Sequence, residues 1–519
     1  MIRGGILLAS LLASGLLHAS SGFRFTEKPG SFAVGFKVVE QYDGSRTFLG
    51  RTDPVTGQPI TTNRARPIQT LIWYPAEKAG SPLRYGDYLA LTGSEDRYDR
   101  SAEQIAATAE FRLRDYLPPD FSAAALGTIK NEPMWAIRDA SARSGKFPVV
   151  IYAPSHNASA AENADLCEYL ASYGYVVLAS PSFGVHSRWM ASDLADIEVQ
   201  AGDIEFLIGY ASTLLNADNS HVAVIGYSWG GIANVFAAAK DNRITALVGF
   251  DGGIRLVGKM VAASKYVVPE RLTVPYLYLS SAPGALEDLY RQQQDLSDDL
   301  LARLKFCDLY LVTMEPLLHY HFSSEHLRFL SAHNLESEYS LDEIYQAYGG
   351  LARYTRTFLD GTLKNDANAL ASVAGKPEGF PRHAVRVEVT HSQGLPLTRE
   401  VLAAEMFRAG FAHADEVYDR LSAQNPGTKL APPEFLDWIE DLANLHRLDD
   451  AIAIAKLFIK TYPERPGPYH RLAELQLEHG DKTSAIENYK KALAIDPSNE
   501  AVASKLAALG GKLARVDKK

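Results

Sequence analysis

The chain has 519 residues, of which 46% are hydrophobic and 22% charged, and its formal net charge is −10. That length predicts two or three domains with ample apolar material for a core, and the acidic balance argues against nucleic acid or an anionic membrane surface as the main partner. Cys167 and Cys307 are the only cysteines, which excludes a disulfide scaffold; one bridge is allowed, but two separate buried thiols are the expectation.

The N-terminus has the pattern of an export signal. Arg3 supplies a positive region, Gly4 to Leu17 an apolar core, and "HASS" a small-residue cleavage region, so residues 1–19 are expected to be a signal peptide removed on export to the periplasm or medium. The apolar run is too short to span a bilayer, and no later stretch is apolar enough to do so.

"FAVGFKVVEQYD" and "IQTLIWYPA" follow as candidate antiparallel strands. Residues 85–146 then break the rhythm with the amphipathic "SAEQIAATAEFRLRDYLPPDF", a helical insertion placed where a cap over a site would sit. From 147 to 365 apolar runs alternate with amphipathic ones. "FPVVIYAP", "GYVVLAS", "HVAVIG", "ITALVGF", "PYLYLS" and "CDLYLVTM" are near-continuous apolar segments, as in strands of a parallel sheet covered on both faces. Ile197, Ile204, Leu207, Ile208, Leu214 and Leu215 recur between two of them at helical spacing. The alternation predicts a doubly wound, mostly parallel α/β sheet.

Within that region "HVAVIGYSWGG" stops a strand-like run at Ser228, fenced by Gly226, Gly230 and Gly231. A buried strand ending in a glycine turn is one reading. The other is a nucleophile elbow, in which a strained strand-to-helix turn lifts the serine oxygen clear of the sheet. A serine nucleophile needs a base and an orienting acid, expected later in the chain on loops at the carboxyl ends of strands. Asp251 ends "VGFDGG", and His319 and His321 follow the last strand in "EPLLHYHFSS". Glu287 and Asp288, after the next strand, are rival acids; His186 in "PSFGVHSRW" is a candidate pocket residue. The histidines lack metal-ligand spacing, and no phosphate-cradling glycine loop is present.

Elbow, acid and histidine together resemble the α/β-hydrolase fold, in particular its platelet-activating-factor acetylhydrolase and dienelactone-hydrolase-like branch, over roughly residues 30–365. The resemblance implies Asp251 as the acid one strand after the serine. It also implies His319 as the base, since His319-Tyr320-His321-Phe322 matches a histidine followed by two residues and then phenylalanine. It implies backbone N–H groups of Trp229 and His156 as the oxyanion hole, a carboxylic ester as substrate, and no cofactor. Relatives often carry H-G-x-G where this chain has Pro154, Ser155, His156 and Asn157, which leaves the shape of that loop open. An acyltransferase or peptidase would use the same residues.

Residues 366–400 lack linker composition, and "HAVRVEV" alternates like a strand, predicting an ordered connection on which a C-terminal domain (401–515) docks. There "HRLDDAIAIAKLFIKTYPERP" and "HGDKTSAIENYKKALAIDPSN" superpose at 34 residues, Ala451 on Ala485 and Pro463 on Pro497, with a looser copy in which Ala414 takes the place of Ala451. The period resembles tetratricopeptide repeats, an all-α stack offering a concave face to a protein or peptide partner. A repeat-based interaction protein with an inactive hydrolase domain is the alternative reading.

Overall fold

A computed structural model describes residues 22–49, 51, 57, 59, 61, 63–117, 121–330, 337–375 and 384–510. The expected signal peptide lies outside them. The chain divides into two compact units, one ending at Thr390 and the other running from His391 onward and taking in the short segments 268–273 and 303–308.

The first unit opens with β1 (Ala33–Thr47) and β2 (Ala65–Ala76), an antiparallel pair. Three helices follow, α1 (Tyr85–Leu91), α2 (Ala102–Tyr116) and α3 (Ala123–Lys130). Ser101 and Gln104 form a capping box that fixes the start of α2. The insertion is not purely helical: it returns through β3 (Ala136–Arg138), which pairs parallel with β1 at the sheet edge.

The core alternation then begins: β4 (Phe147–Ala153), α4 (Ala164–Ser172), β5 (Val176–Ala179), α5 (Leu194–Ala211), β6 (Ala217–Tyr227), α6 (Trp229–Lys240), β7 (Ile244–Phe250), β8 (Tyr276–Ser281), β9 (Leu309–Met314) and β10 (Val385–Thr390). They build one ten-stranded sheet in the order β10-β9-β8-β7-β6-β4-β5-β2-β1-β3. The run β5-β4-β6-β7-β8-β9 is parallel throughout. Val222, Ala223, Val224 and Ile225 of β6 are wholly buried, as burial on both faces of a parallel sheet requires. The direction of winding reverses around β4, whose neighbours are β5 and β6, and such a switch point leaves a crevice at the carboxyl ends of the strands. This is the α/β-hydrolase architecture.

Two readings of the sequence shift. α5 ends at Ala211, so Leu214 and Leu215 fall past the helix, and Leu215 is 93% exposed; the buried apolar stripe is Ile197, Ala201, Ile204, Leu207, Ile208 and Ala211. β9 starts at Leu309, two residues after Cys307. β10 shows the expected alternation, with Val385 buried and Arg386 exposed, and pairs antiparallel with β9.

The second unit is helical among its described residues. Helices Ala414–Gln424, Leu448–Thr461 and Lys482–Ile495 bury corresponding faces: Ala414, Val417, Tyr418 and Leu421; Ala451, Ile454, Ala455 and Phe458; Ala485, Asn488, Tyr489 and Ala492. Helices Pro432–Asn444 and Pro466–Glu478 precede the second and third of these, and each starts with proline, which suits the first turn because its missing N–H would lack an intrahelical acceptor anyway. Phe435 stacks on Phe458 at 4.8 Å between ring centres, locking one helix pair.

Both cysteines are buried and free. Burial pushes the Cys307 thiol up to about 12 and Cys167 well above its usual value, so neither presents a thiolate near neutrality. Titration with Ellman's reagent is expected to find no rapidly reacting thiol in the native protein and both in guanidinium without reductant; one or none in guanidinium would indicate a bridge.

Candidate active site

β6 ends at Tyr227 and α6 starts at Trp229, leaving Ser228 alone in the turn with φ 53° and ψ −116°. A serine rarely adopts that conformation, and it persists only where its surroundings enforce it. The Ser228 N–H donates to the Phe250 carbonyl at 2.9 Å, tying the turn to the end of β7. The glycines are explained by close approach. A Cβ on Gly226 would lie 2.1 Å from the Gly230 carbonyl oxygen, and one on Gly230 would lie 2.1 Å from that of Ala153. The turn is thus an elbow of the kind its spacing predicts. Trp229 opens α6, so its N–H belongs to the first turn, where amides have no intrahelical acceptor.

His319 sits in a short 3₁₀ turn, His319–Phe322, beyond β9. Its Nε2 lies 2.9 Å from Ser228 Oγ and its Nδ1 2.8 Å from Asp251 Oδ2. With Nδ1–H donating to the carboxylate, Nε2 carries the lone pair and accepts from the serine hydroxyl. Asp251 is buried at the tip of β7 with φ 44°. It also accepts from the Ser281 N–H at 3.0 Å and hydroxyl at 2.9 Å, so its orientation is fixed from both sides. Ser281 escaped the sequence reading, which followed the strand only to Ser280. Its signal was a second hydroxyl at the tip of the strand beside the acid's.

The rival residues lie elsewhere. His321 is wholly buried, and its Nδ1 accepts from the Leu318 N–H at 3.0 Å; burial lowers its pKa to about 4. Asp288 pairs with Arg291 at 2.5 Å and Glu287 with Arg386 at 3.4 Å. His186 is exposed and is not among the residues lining the cavity over Ser228. Tyr227 is another residue that the sequence did not flag. Its hydroxyl donates to the His319 carbonyl at 2.8 Å, and its ring centre lies 5.4 Å from the imidazole.

His156 lies in the loop after β4. Its Nε2 is 2.8 Å from Ser192 Oγ, and its ring meets Trp229 edge-on at 5.7 Å. The loop is held by side chains. Asn157 takes the left-handed conformation (φ 59°), accepting from the Met190 N–H at 2.7 Å, and Gln200 donates to the Pro154 carbonyl at 2.8 Å. Asparagine tolerates that conformation better than most residues.

Above the serine lies a cavity of about 670 Å³. The insertion forms part of its wall through Leu89, Phe111, Arg112 and Leu113, and Trp189 and Arg188 contribute from the segment after β5. Phe111 and Trp189 are 66% and 65% exposed, an apolar rim. Arg112 holds Asp96 at 2.9 Å, and Arg188 holds Glu95. Among the described residues no group of histidine, cysteine and carboxylate side chains is placed to hold a metal ion, and no helix is long and apolar enough to cross a membrane.

No family model matches the chain. Over 66 residues, 13% of this chain, it is 42% identical to the Hsp70-Hsp90 organizing protein of Triticum aestivum. Over 274 residues, 49% of this chain, it is 20% identical to a probable 1-alkyl-2-acetylglycerophosphocholine esterase of Arthroderma benhamiae. The chain spans 11% of the length of the first relative and 65% of the second. Among solved structures, a ferulic acid esterase from Streptomyces cinnamoneus superposes with a TM-score of 0.48 at 18% identity, covering 70% of this chain and 99% of that one.

Gly230→Ala tests the elbow. The added methyl group meets backbone rather than a yielding side chain, so destabilisation of about 1–3 kcal/mol is expected in urea unfolding. An unchanged midpoint would show that the turn relaxes freely.

Proposed function

We propose that the protein is an exported serine hydrolase of carboxylic esters. The observation that carries the reading is the unbroken hydrogen-bonded chain from Ser228 Oγ through His319 to Asp251, at the foot of a cavity. Ser228 Oγ attacks the ester carbonyl while its proton passes to His319 Nε2. The carbonyl oxygen takes the negative charge, held by the N–H groups of Trp229 and His156. The imidazolium then gives its proton to the departing alkoxide, leaving an acyl-enzyme. Water, deprotonated by His319, attacks this ester, and collapse frees the acid and restores the serine. Asp251 keeps the imidazole in the required tautomer, and the scheme calls for no cofactor.

The relative named as a probable acetylglycerophosphocholine esterase supports an ester as substrate. The cavity volume falls in the range of sites that enclose whole small molecules. The export pattern over residues 1–19 supports a periplasmic or secreted location. For the C-terminal helices we propose tetratricopeptide repeats that bind a protein or peptide partner, supported by the 34-residue period and the likeness to the Hsp70-Hsp90 organizing protein.

Ser228→Ala is expected to lower p-nitrophenyl ester hydrolysis on the order of 10⁴-fold, with the melting temperature unchanged. A serine-directed phosphonate is expected to label the wild type and not this variant. Activity retained within about tenfold would remove Ser228 from the mechanism.

His319→Ala should match the serine variant, while His321→Ala, away from the serine, should cost far less. Asp251→Asn should disable turnover by favouring the wrong tautomer, while Glu287→Gln and Asp288→Asn stay mild. The opposite ranking in steady-state kinetics would reassign base or acid.

A further inference from the structure

The loop from Pro154 to Asn157 contains no glycine and has to hold the His156 N–H toward the reacting carbonyl. One buried side chain stands behind this loop. The Glu162 carboxylate is 1% exposed and accepts from the Ser155 N–H at 2.9 Å, from the Ser155 hydroxyl, and from the Tyr152 hydroxyl at 3.0 Å. Tyr152 belongs to β4, so one carboxylate ties the strand end to the peptide preceding His156. The Ser155 carbonyl is held from the other side by the Ser182 hydroxyl, which also accepts from the Ala158 N–H at 2.9 Å.

A carboxylate away from water is costly unless it is fully hydrogen-bonded or usefully charged. All three of these hydrogen bonds come from neutral donors. Packing alone would be served as well by an amide of the same shape. The charge has another use: Glu162 lies near enough to His319 for the two to interact electrostatically, and it lines the same cavity as Ser228 and His319.

We propose that Glu162 is a positioning residue of the ester-cleaving reaction. It clamps Ser155 so that the His156 N–H meets the oxyanion, and its ionised carboxylate favours the imidazolium that His319 becomes. The inference rests on the reading of Ser228 as nucleophile.

The groups around Glu162 let its charge act on His319. Tyr152 and Ser155 face it from β4 and the loop, Tyr227 from β6, His319 from the turn after β9, and Glu325 with its neighbour His326 from the helix Ser324–Phe329. Burial first, then Glu162 and Glu95, raise Glu325 to about 8, and burial lowers His326 to about 4. Both are therefore mainly neutral at pH 7. Burial raises Glu162 to about 7 against the hydrogen bonds of Ser155 and Tyr152 and the charge of His319. The sign follows: above pH 7 the ionised form and its benefit are present, and as pH falls through 7 the carboxyl protonates and comes to resemble an amide.

The test compares wild type and Glu162→Gln from pH 5.5 to 7.5 with p-nitrophenyl acetate, after titrating active sites with a p-nitrophenyl phosphonate. At pH 7.5 kcat is expected to fall on the order of tenfold with KM nearly unchanged. The wild-type-to-variant ratio should shrink as pH falls. Ser155→Ala, which removes only the hydroxyl contact, should lower kcat and move this pH dependence upward, because the charged form loses a donor; it decides the matter if Glu162→Gln fails to fold. A ratio near one throughout, or one independent of pH, overturns the proposal. If the wild type takes up no phosphonate at Ser228, the nucleophile reading has failed and the proposal with it. Normal labelling with identical profiles defeats the role of Glu162 alone.

Discussion

The site depends on a steric constraint at the crossing of β4, β6 and α6. Ser228 can hold a positive φ only because no side chain occupies positions 226 and 230, where a Cβ would come within 2.1 Å of backbone oxygens. The same lack of side chains lets α6 start directly above the sheet and draws the end of β4 against the elbow. The closeness that strains the serine therefore also brings the 154–158 loop beside it. Strain of this kind survives where the surrounding structure over-determines it, and here a parallel sheet covered on both faces supplies the rigidity.

Around that turn the chain gathers groups from distant places. Asp251 comes from the tip of β7, Ser281 from β8, His319 from beyond β9 and Tyr227 from β6 itself. Each occupies a carboxyl end of a parallel strand or the turn after it, the edge where loops can vary without disturbing the core. The carboxylate is oriented by Ser281 as well as by the imidazole, and the backbone of the histidine is held by Tyr227. The geometry of the Ser228–His319–Asp251 chain thus belongs to a supporting set of hydrogen bonds more than to any single contact.

The helical unit obeys a simpler rule. Corresponding positions of its helices carry small or apolar residues on their buried faces. Ala414, Ala451 and Ala485 are buried where helices pack, and an alanine there lets backbones approach. In the third copy Asn488 bonds Gln476 within the stack at 2.9 Å, so a buried polar position is tolerated because it is satisfied.

Local pattern made much of this legible. Apolar runs of strand length, a fenced serine and a 34-residue period are short-range signals, each with its own physical cause, and they pointed to the sheet, the elbow and the helical hairpins. Asp251 stood out as an acid at a strand tip followed by two glycines, with Glu287 and Asp288 as rivals, and the structure sets it 2.8 Å from His319 Nδ1. The choice between His319 and His321 was different: two residues apart in one turn, they have the same local chemistry. Only the tertiary structure places one ring beside Ser228 and buries the other. Ser281, Tyr227 and Glu162 were likewise invisible in sequence, because their importance lies in partners that only folding brings close: Asp251 for Ser281 and His319 for Tyr227 and Glu162. The return of the insertion through β3 to the far sheet edge was hidden for a related reason, since three residues carry too little periodicity to announce a strand. Sequence by itself determined which elements form and which chemistry they offer, because propensity and periodicity act over a few residues. Tertiary structure alone decided which groups meet, because hydrogen bonds between strand ends depend on sheet order and loop course.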